Sequence, residues 1–196
     1  MKKLAVMGLL LSLSALSSAK DVYTFDQAHT TLGFSVKHMM VSRVDGAFRD
    51  FNGTITLDEE DLTKSSVNVT IQVASVNTGN DKRDEHLKNS DFFDAPKFPL
   101  MTFKSTKIIK TPTGYEATGL FTMKDVSKEI TIPFILNGPV ENPFKKGEKR
   151  IGVEGGVTIN RQDYHVTWNM PMMDGQGVII GNDVKITLNV EATKNN

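Results

Sequence analysis

The chain has 196 residues, 39% of them hydrophobic and 23% charged, with a formal net charge of zero and no cysteine. That length suits one all-β domain, and the composition excludes the low-hydrophobicity, high-charge profile of a disordered chain. A balanced charge offers no global basic field for nucleic acid, and a chain without cysteine has no disulfide and no thiol to acylate.

At the N-terminus, Lys2 and Lys3 precede an apolar run from Leu4 to Leu16, and Ser17-Ser18-Ala19 supplies small residues after it. A run of roughly 13 residues is too short to span a bilayer and reads as a signal peptide over residues 1–19, cleaved after Ala19. The expected product, residues 20–196, is one soluble domain, periplasmic where the host has an outer membrane.

From there period-two alternation dominates. Leu32, Phe34, Val36 and His38 share one strand face; Val44, Gly46 and Phe48 start the next strand, and Phe51, Gly53, Ile55 and Leu57 continue it in the opposite phase. The slip at Arg49-Asp50 predicts a β-bulge. Val67, Val69, Ile71 and Val73 form a third face. A charged run predicts a short helix from Asp81 to Lys88. Met101 and Phe103 open another strand, which turns at Thr111-Pro112-Thr113-Gly114. Ala117, Gly119, Phe121 and Met123 line the next, and Ile130, Ile132, Phe134 and Leu136 the one after. Pro133 cannot donate to a ladder, which predicts a gap or edge there. Residues 138–149 read as a solvated loop. Ile151, Val153, Gly155, Val157 and Ile159, then Val184, Ile186, Leu188 and Val190, complete about eight long strands, the pattern of an up-and-down antiparallel barrel.

Few residues suggest reaction chemistry. His29, His38, His86 and His165 show no metal-ligand spacing and read as structural or rim histidines. No serine sits in Gly-x-Ser-x-Gly. Arg83 beside Asp84 admits two readings: an ion pair that pins the helix across the barrel mouth, or a fork of donors for a lipid head group. Trp168 and Met170-Pro171-Met172-Met173, with Met39-Met40, suit a lid or rim that accepts variable apolar shapes. The inward faces mix Phe34, Phe48, Phe103, Phe121 and Phe134 with Gly46, Gly119 and Gly155. Such pairs either leave a channel or interlock.

The segments Arg83-Asp84, His86-Leu87, Ser90-Asp91-Phe92-Phe93, Phe98-Pro99 and Thr102-Phe103-Lys104-Ser105 form an ordered signature. Asp26-Gln27-Ala28-His29-Thr30, Phe34 to Met40, Val44 to Gly53 and Arg161-Gln162-Asp163-Tyr164 extend it. Together, from about Val22 to Ala192, they resemble the YceI-like family of bacterial lipocalin-like, polyisoprenoid-binding proteins. His165 departs from it, standing where a glycine often follows. The resemblance implies an all-β, eight-stranded antiparallel lipocalin-like barrel with the short helix inserted. It implies a periplasmic, stress-related carrier, not an enzyme, with a long-chain lipid inside: a polyisoprenoid, an isoprenoid quinone or a fatty-acid derivative. The residues placed to hold it are Phe34, Val36, His38, Phe48, Arg83, Phe103, Phe121, Met123, Phe134, Trp168 and Met170. No metal, cofactor or nucleic acid is expected; transient membrane contact and a homodimer are. The rivals are an enzyme on a sequestered lipid, using His38, Asp163 or Arg83, and a structural stress protein with a solid barrel.

Overall fold

A computed structural model describes residues 20–173 and 177–194; the signal-peptide reading and Gly175 fall outside them. The strands are β1 (Asp21–Phe25), β2 (Thr31–His38), β3 (Ser42–Phe48), β4 (Phe51–Leu57), β5 (Ser66–Gln72) and β6 (Val76–Asn77), then β7 (Leu100–Thr111), β8 (Gly114–Met123), β9 (Val126–Glu141), β10 (Lys149–Asn160) and β11 (Ile180–Lys194). One α-helix, α1 (Asp81–Lys88), separates β6 from β7, as the charged run predicts.

Every pairing is antiparallel, and the sheet closes because β11 meets both β10 and, on its other edge, β2 and β1. Three of the barrel's eight staves are each built from two strands in line: β1 with β2, β3 with β4, and β5 with β6. Phe48 and Phe51 both face the interior, so the phase does change at Arg49-Asp50. It is not a single-residue bulge. The staves on either side break at the same level, over residues 26–30 and at the 3-10 turn Val73–Ser75. A bend shared by three neighbours keeps apolar residues inward on both sides of it.

Alternation sets apolar side chains next to one another on the inner face of adjacent strands: Phe34 beside Ile186, Val69 beside Phe103, Phe103 beside Phe121, Ala117 beside Ile132. The glycines interlock with the aromatics. A Cβ on Gly46 would lie 2.4 Å from the Phe34 ring, one on Gly53 2.3 Å from Phe25, and one on Gly119 2.8 Å from Phe103. Each ring therefore lies flat across a neighbouring strand instead of reaching toward the axis. Pro133 marks a gap as expected: the β9–β10 ladder stops at Phe134↔Gly155, although β9 continues back to Val126 against β8. The 3-10 turn Arg161–Tyr164 stands beside this stretch, with Lys128 Nζ 3.3 Å from Asp163.

Candidate functional site

The barrel encloses a cavity of about 410 Å³. That falls within the roughly 300–1,000 Å³ of ordinary small-molecule sites. Flattened phenylalanines and small wall residues leave this space, so the interior is not filled by its own side chains. The lining is apolar along its length. Polar residues occur only toward the ends: Ser65 and Ser66 at one, and Lys37, His38, Arg83, His86 and Arg161 at the other, here called the mouth.

Helix α1 builds the mouth. Asn80 caps it by accepting from the Arg83 N–H at 3.0 Å, Asp81 and Asp84 occupy its first turn, and His86 and Lys88 its last. This charge order complements the helix dipole. Arg83, His86 and Leu87, spaced i, i+3, i+4, share the face that lines the cavity. The turn after the helix adds Phe92 and Phe93. The rings of His86, Phe92 and Trp168 cluster with centroids 4.9–5.3 Å apart, and the His86 Nε2 lies 2.9 Å from Asp91. Lys124 ties the parts together by donating to the Phe92 and His165 carbonyls at 2.9 and 2.8 Å.

The two arginines at the mouth are held differently from expectation. Arg83 makes no ion pair with Asp84. Its Nε donates to Thr78 Oγ1 at 2.7 Å and its Nη2 to the Thr78 carbonyl at 2.9 Å. Asp84, buried, accepts from the Thr78 N–H and hydroxyl. Thr78 therefore stands between the charges, and the Arg83 Nη1 is left without a protein acceptor among the described residues. Arg161 is 4% exposed and meets no carboxylate among the described residues. Its Nε donates to Gly181 O, Nη1 to Val166 O and Trp168 O, and Nη2 to Ile180 O and Asn182 Oδ1, at 2.6–3.5 Å. All five guanidinium donors are committed. Carbonyl dipoles face the charge, and burial lowers its pKa from the ordinary arginine value. Its positive field reaches a cavity of low dielectric.

Of the residues singled out in the sequence, Phe34, Val36, His38, Phe48, Arg83, Phe103, Phe121, Met123, Phe134 and Trp168 line this cavity. Met170 does not. It is half exposed on an outward finger whose backbone pairs Met170 O with the Ile179 N–H at 3.0 Å. The apolar stretch from Met170 is likewise not covered, since Met173 is fully exposed. Asp163 is outside the lining and faces Lys128, so it forms no interior pair with His38. Sequence reasoning passed over His86, Leu87, Phe93 and Arg161 as lining residues. The i, i+3, i+4 spacing on α1 carried that signal; Arg161 stood in the Arg161-Gln162-Asp163-Tyr164 segment, but nothing local pointed it at the cavity.

Asp26, His29 and Glu191 bring three potential metal-ligand atoms together. Arg150 already engages this group: its Nη1 bonds Glu191 and lies 3.6 Å from Asp26, while its Nη2 reaches Glu148 at 2.8 Å. A cation there would have to displace a guanidinium, so the group reads as an ion-pair network outside the cavity.

Comparison with known proteins agrees with this architecture. The YceI-like domain model matches residues 23–192. UPF0312 protein SAB2563 of Staphylococcus aureus is 37% identical over 169 residues, covering 86% of this chain and 95% of that protein. A Campylobacter jejuni YCEI protein superposes with a TM-score of 0.67 at 33% identity, covering 87% and 96% of the two chains. Burkholderia cenocepacia BcnA (TM-score 0.71, 24% identity, 85% and 98% covered) shares the fold. So does a polyisoprenoid binding domain from Saccharophagus degradans (TM-score 0.59, 13% identity, 88% and 98% covered).

Proposed function

The chain belongs to the YceI-like domain family, and from that premise we propose that it is a binding protein which carries a long-chain, isoprenoid-type lipid inside the barrel. The observation that carries this reading is the cavity itself: apolar along its length, with cations at one end only. Such polarity fits an amphiphile whose chain lies along the barrel and whose head rests at the mouth. Exposing an alkyl chain to water costs about 0.8 kcal/mol per methylene, so a long lipid crosses an aqueous space only inside a cover of this kind. The polyisoprenoid binding domain of Saccharophagus degradans has the same fold, which makes polyisoprenoids the first ligands to try, with isoprenoid quinones and fatty-acid derivatives next. The Nη1 of Arg83, without an acceptor among the described residues, suits an acceptor oxygen on the head group, and the charge of Arg161, which meets no carboxylate among those residues, favours that oxygen being anionic. The setting we propose is the periplasm, reached through the N-terminal segment.

Native mass spectrometry of periplasm-purified protein tests the reading, followed by reloading with a polyprenyl phosphate and with a hydrocarbon of equal chain length. The expected result is one retained lipid per barrel. Arg83→Gln is expected to lower phosphate-lipid affinity at least tenfold, as befits a lost charge-assisted hydrogen bond, and to leave the hydrocarbon unchanged. A folded protein that stays empty with every lipid sinks the carrier reading.

A further inference from the structure

Three energetic costs converge on the tip of the β2–β3 hairpin. The turn closed by the Val41 N–H on His38 O at 3.2 Å places Met39 and Met40 at φ of 47° and 60°. Two successive left-handed residues favour Asn-Gly, and a β-carbon at either position strains the backbone. The tip is also apolar and exposed, with Met40 at 49% and Val41 at 84%. At its base Lys37 and Arg43 are direct cross-strand partners, a like-charge pairing that opposes sheet formation. Neither has a carboxylate within ion-pair distance among the described residues; Arg43 donates only to Ser35. The first acid of the ladder, Asp45, comes two rungs further down, opposite Ser35.

A second apolar element stands alongside. The finger after Trp168 is pinned at its base by Asn169, which exchanges two hydrogen bonds with Ile180. It is closed higher up by Met172 N–H to Gly177 O at 2.9 Å. Met170 is 52% exposed and Met173 fully so. The finger leans on the hairpin: Gly177 lies so close that a Cβ there would touch both Met172 Sδ and Met40 Cγ at 3.4 Å. The Met39 N–H also donates to Ile179 O at 2.7 Å. The strand ends beneath, at His38, Ile179 and Ile180, line the cavity.

We propose that Met39, Met40, Val41, Met170 and Met173 form a docking surface for an anionic lipid bilayer, through which ligand enters the cavity. Flexible unbranched methionines suit a fluid acyl boundary, and long cationic side chains behind an apolar tip snorkel to lipid phosphates. A lipid drawn out beside the tip would pass from bilayer to barrel with little of its chain meeting water, which accounts for placing the patch at the mouth. The proposal rests on the lipid-carrier reading for its purpose, and the test separates the two.

Flotation with phosphatidylcholine vesicles, with and without phosphatidylglycerol, is the measurement, paired with lipid retention in vesicle-free solution. The double variant Met40→Gly/Val41→Ser suits the turn's backbone and removes its apolar tip. It is expected to lose at least tenfold in vesicle affinity while retaining lipid as before. Lys37→Gln and Arg43→Gln are each expected to cost about fivefold on phosphatidylglycerol vesicles and little on neutral ones. Phe144→Ser, at the opposite end of the barrel, is expected to change nothing. Flotation of the double variant equal to the parent's overturns the docking surface, as does loss of flotation in Phe144→Ser alone. A dimer that dissociates only in the double variant, with flotation unaltered, assigns the patch to a second copy and overturns it too. Vesicle binding that persists in a protein retaining no lipid upholds the surface and removes the carrier reading instead.

Discussion

At the end of the barrel formed by residues 58–65, 112–113 and 142–148, acids and bases meet directly. Glu148 accepts from Asn142, Lys145 and Arg150; Arg150 continues to Glu191 and Asp26; Lys149 pairs with Glu59, and Lys194 with Asp21. Beneath them Tyr23, Leu57, Ile151 and Ala192 are packed almost without exposure. At the mouth, exposed pairs also occur, such as His86–Asp91 and Lys88–Glu85. But Lys37, Arg43, Arg83 and Arg161 have no carboxylate partner among the described residues, two methionines take left-handed backbone, and apolar side chains stand in water. One end holds its charges where folding alone would put them. The other keeps positive charge and apolar surface unspent, which is the expected cost of a site.

Arg161→Met should produce the largest effect. It removes the group satisfying five backbone and side-chain acceptors at the mouth, and acceptors left unpaired in a buried site cost about 1–3 kcal/mol each before relaxation and water entry. We expect a loss of about 3–5 kcal/mol in denaturant unfolding, with hydrogen exchange rising first over residues 166–169 and 180–182. A loss under 1 kcal/mol would show that the carbonyl cage is not what holds the mouth, and would weaken the contrast between the ends.

The base should respond to acid instead. Hydrogen bonds from Asn142, Lys145 and Arg150 hold the Glu148 pKa down from 4.5 to about 2. Asp26 is lowered chiefly by His29, and Asp21 by Lys194. A carboxylate depressed on folding contributes stability that is complete above its unfolded pKa and lost as pH falls through the folded value. Melting temperature is therefore expected to fall between about pH 4.5 and 2, and Glu148→Gln to flatten that slope. His29 has the opposite sign: its pKa is raised by Asp26, so its contribution is present below about 6.5 and fades as pH rises past its folded value. An acid slope identical in Glu148→Gln would place the sensitive carboxylates elsewhere.

The smallest effect expected is a gain. His165 occupies the left-handed cap of the Arg161–Tyr164 turn at φ 57°, and its Nδ1 lies 2.9 Å from the exposed Asp125. Glycine adopts that backbone freely, while an exposed ion pair contributes little. His165→Gly is therefore expected to raise stability by about 0.5–1 kcal/mol, read as a higher melting temperature. A drop would mean that the contact with Asp125 outweighs the backbone cost.

Much of the architecture was legible in the chain itself. Alternation gave the staves and their inward faces, because a strand's side-chain period is fixed by its backbone. The bounds of α1 followed from a charged run in a chain otherwise strand-like, and the β7–β8 hairpin from its Pro and Gly. Pro133 marked the end of a ladder because it lacks an N–H. Tertiary structure alone decided whether the interior was hollow. Phenylalanine and glycine on facing strands can fill a barrel or flatten its wall, and the choice depends on rings lying across Gly46, Gly53 and Gly119, partners distant in sequence. It also decided that Thr78 separates Arg83 from Asp84, that Arg161 is satisfied by carbonyls from two later segments, and that Met170 points outward. Each is a contact between chain segments that local pattern does not encode, since hydropathy records what a side chain prefers and not which neighbours closure of the barrel brings to it.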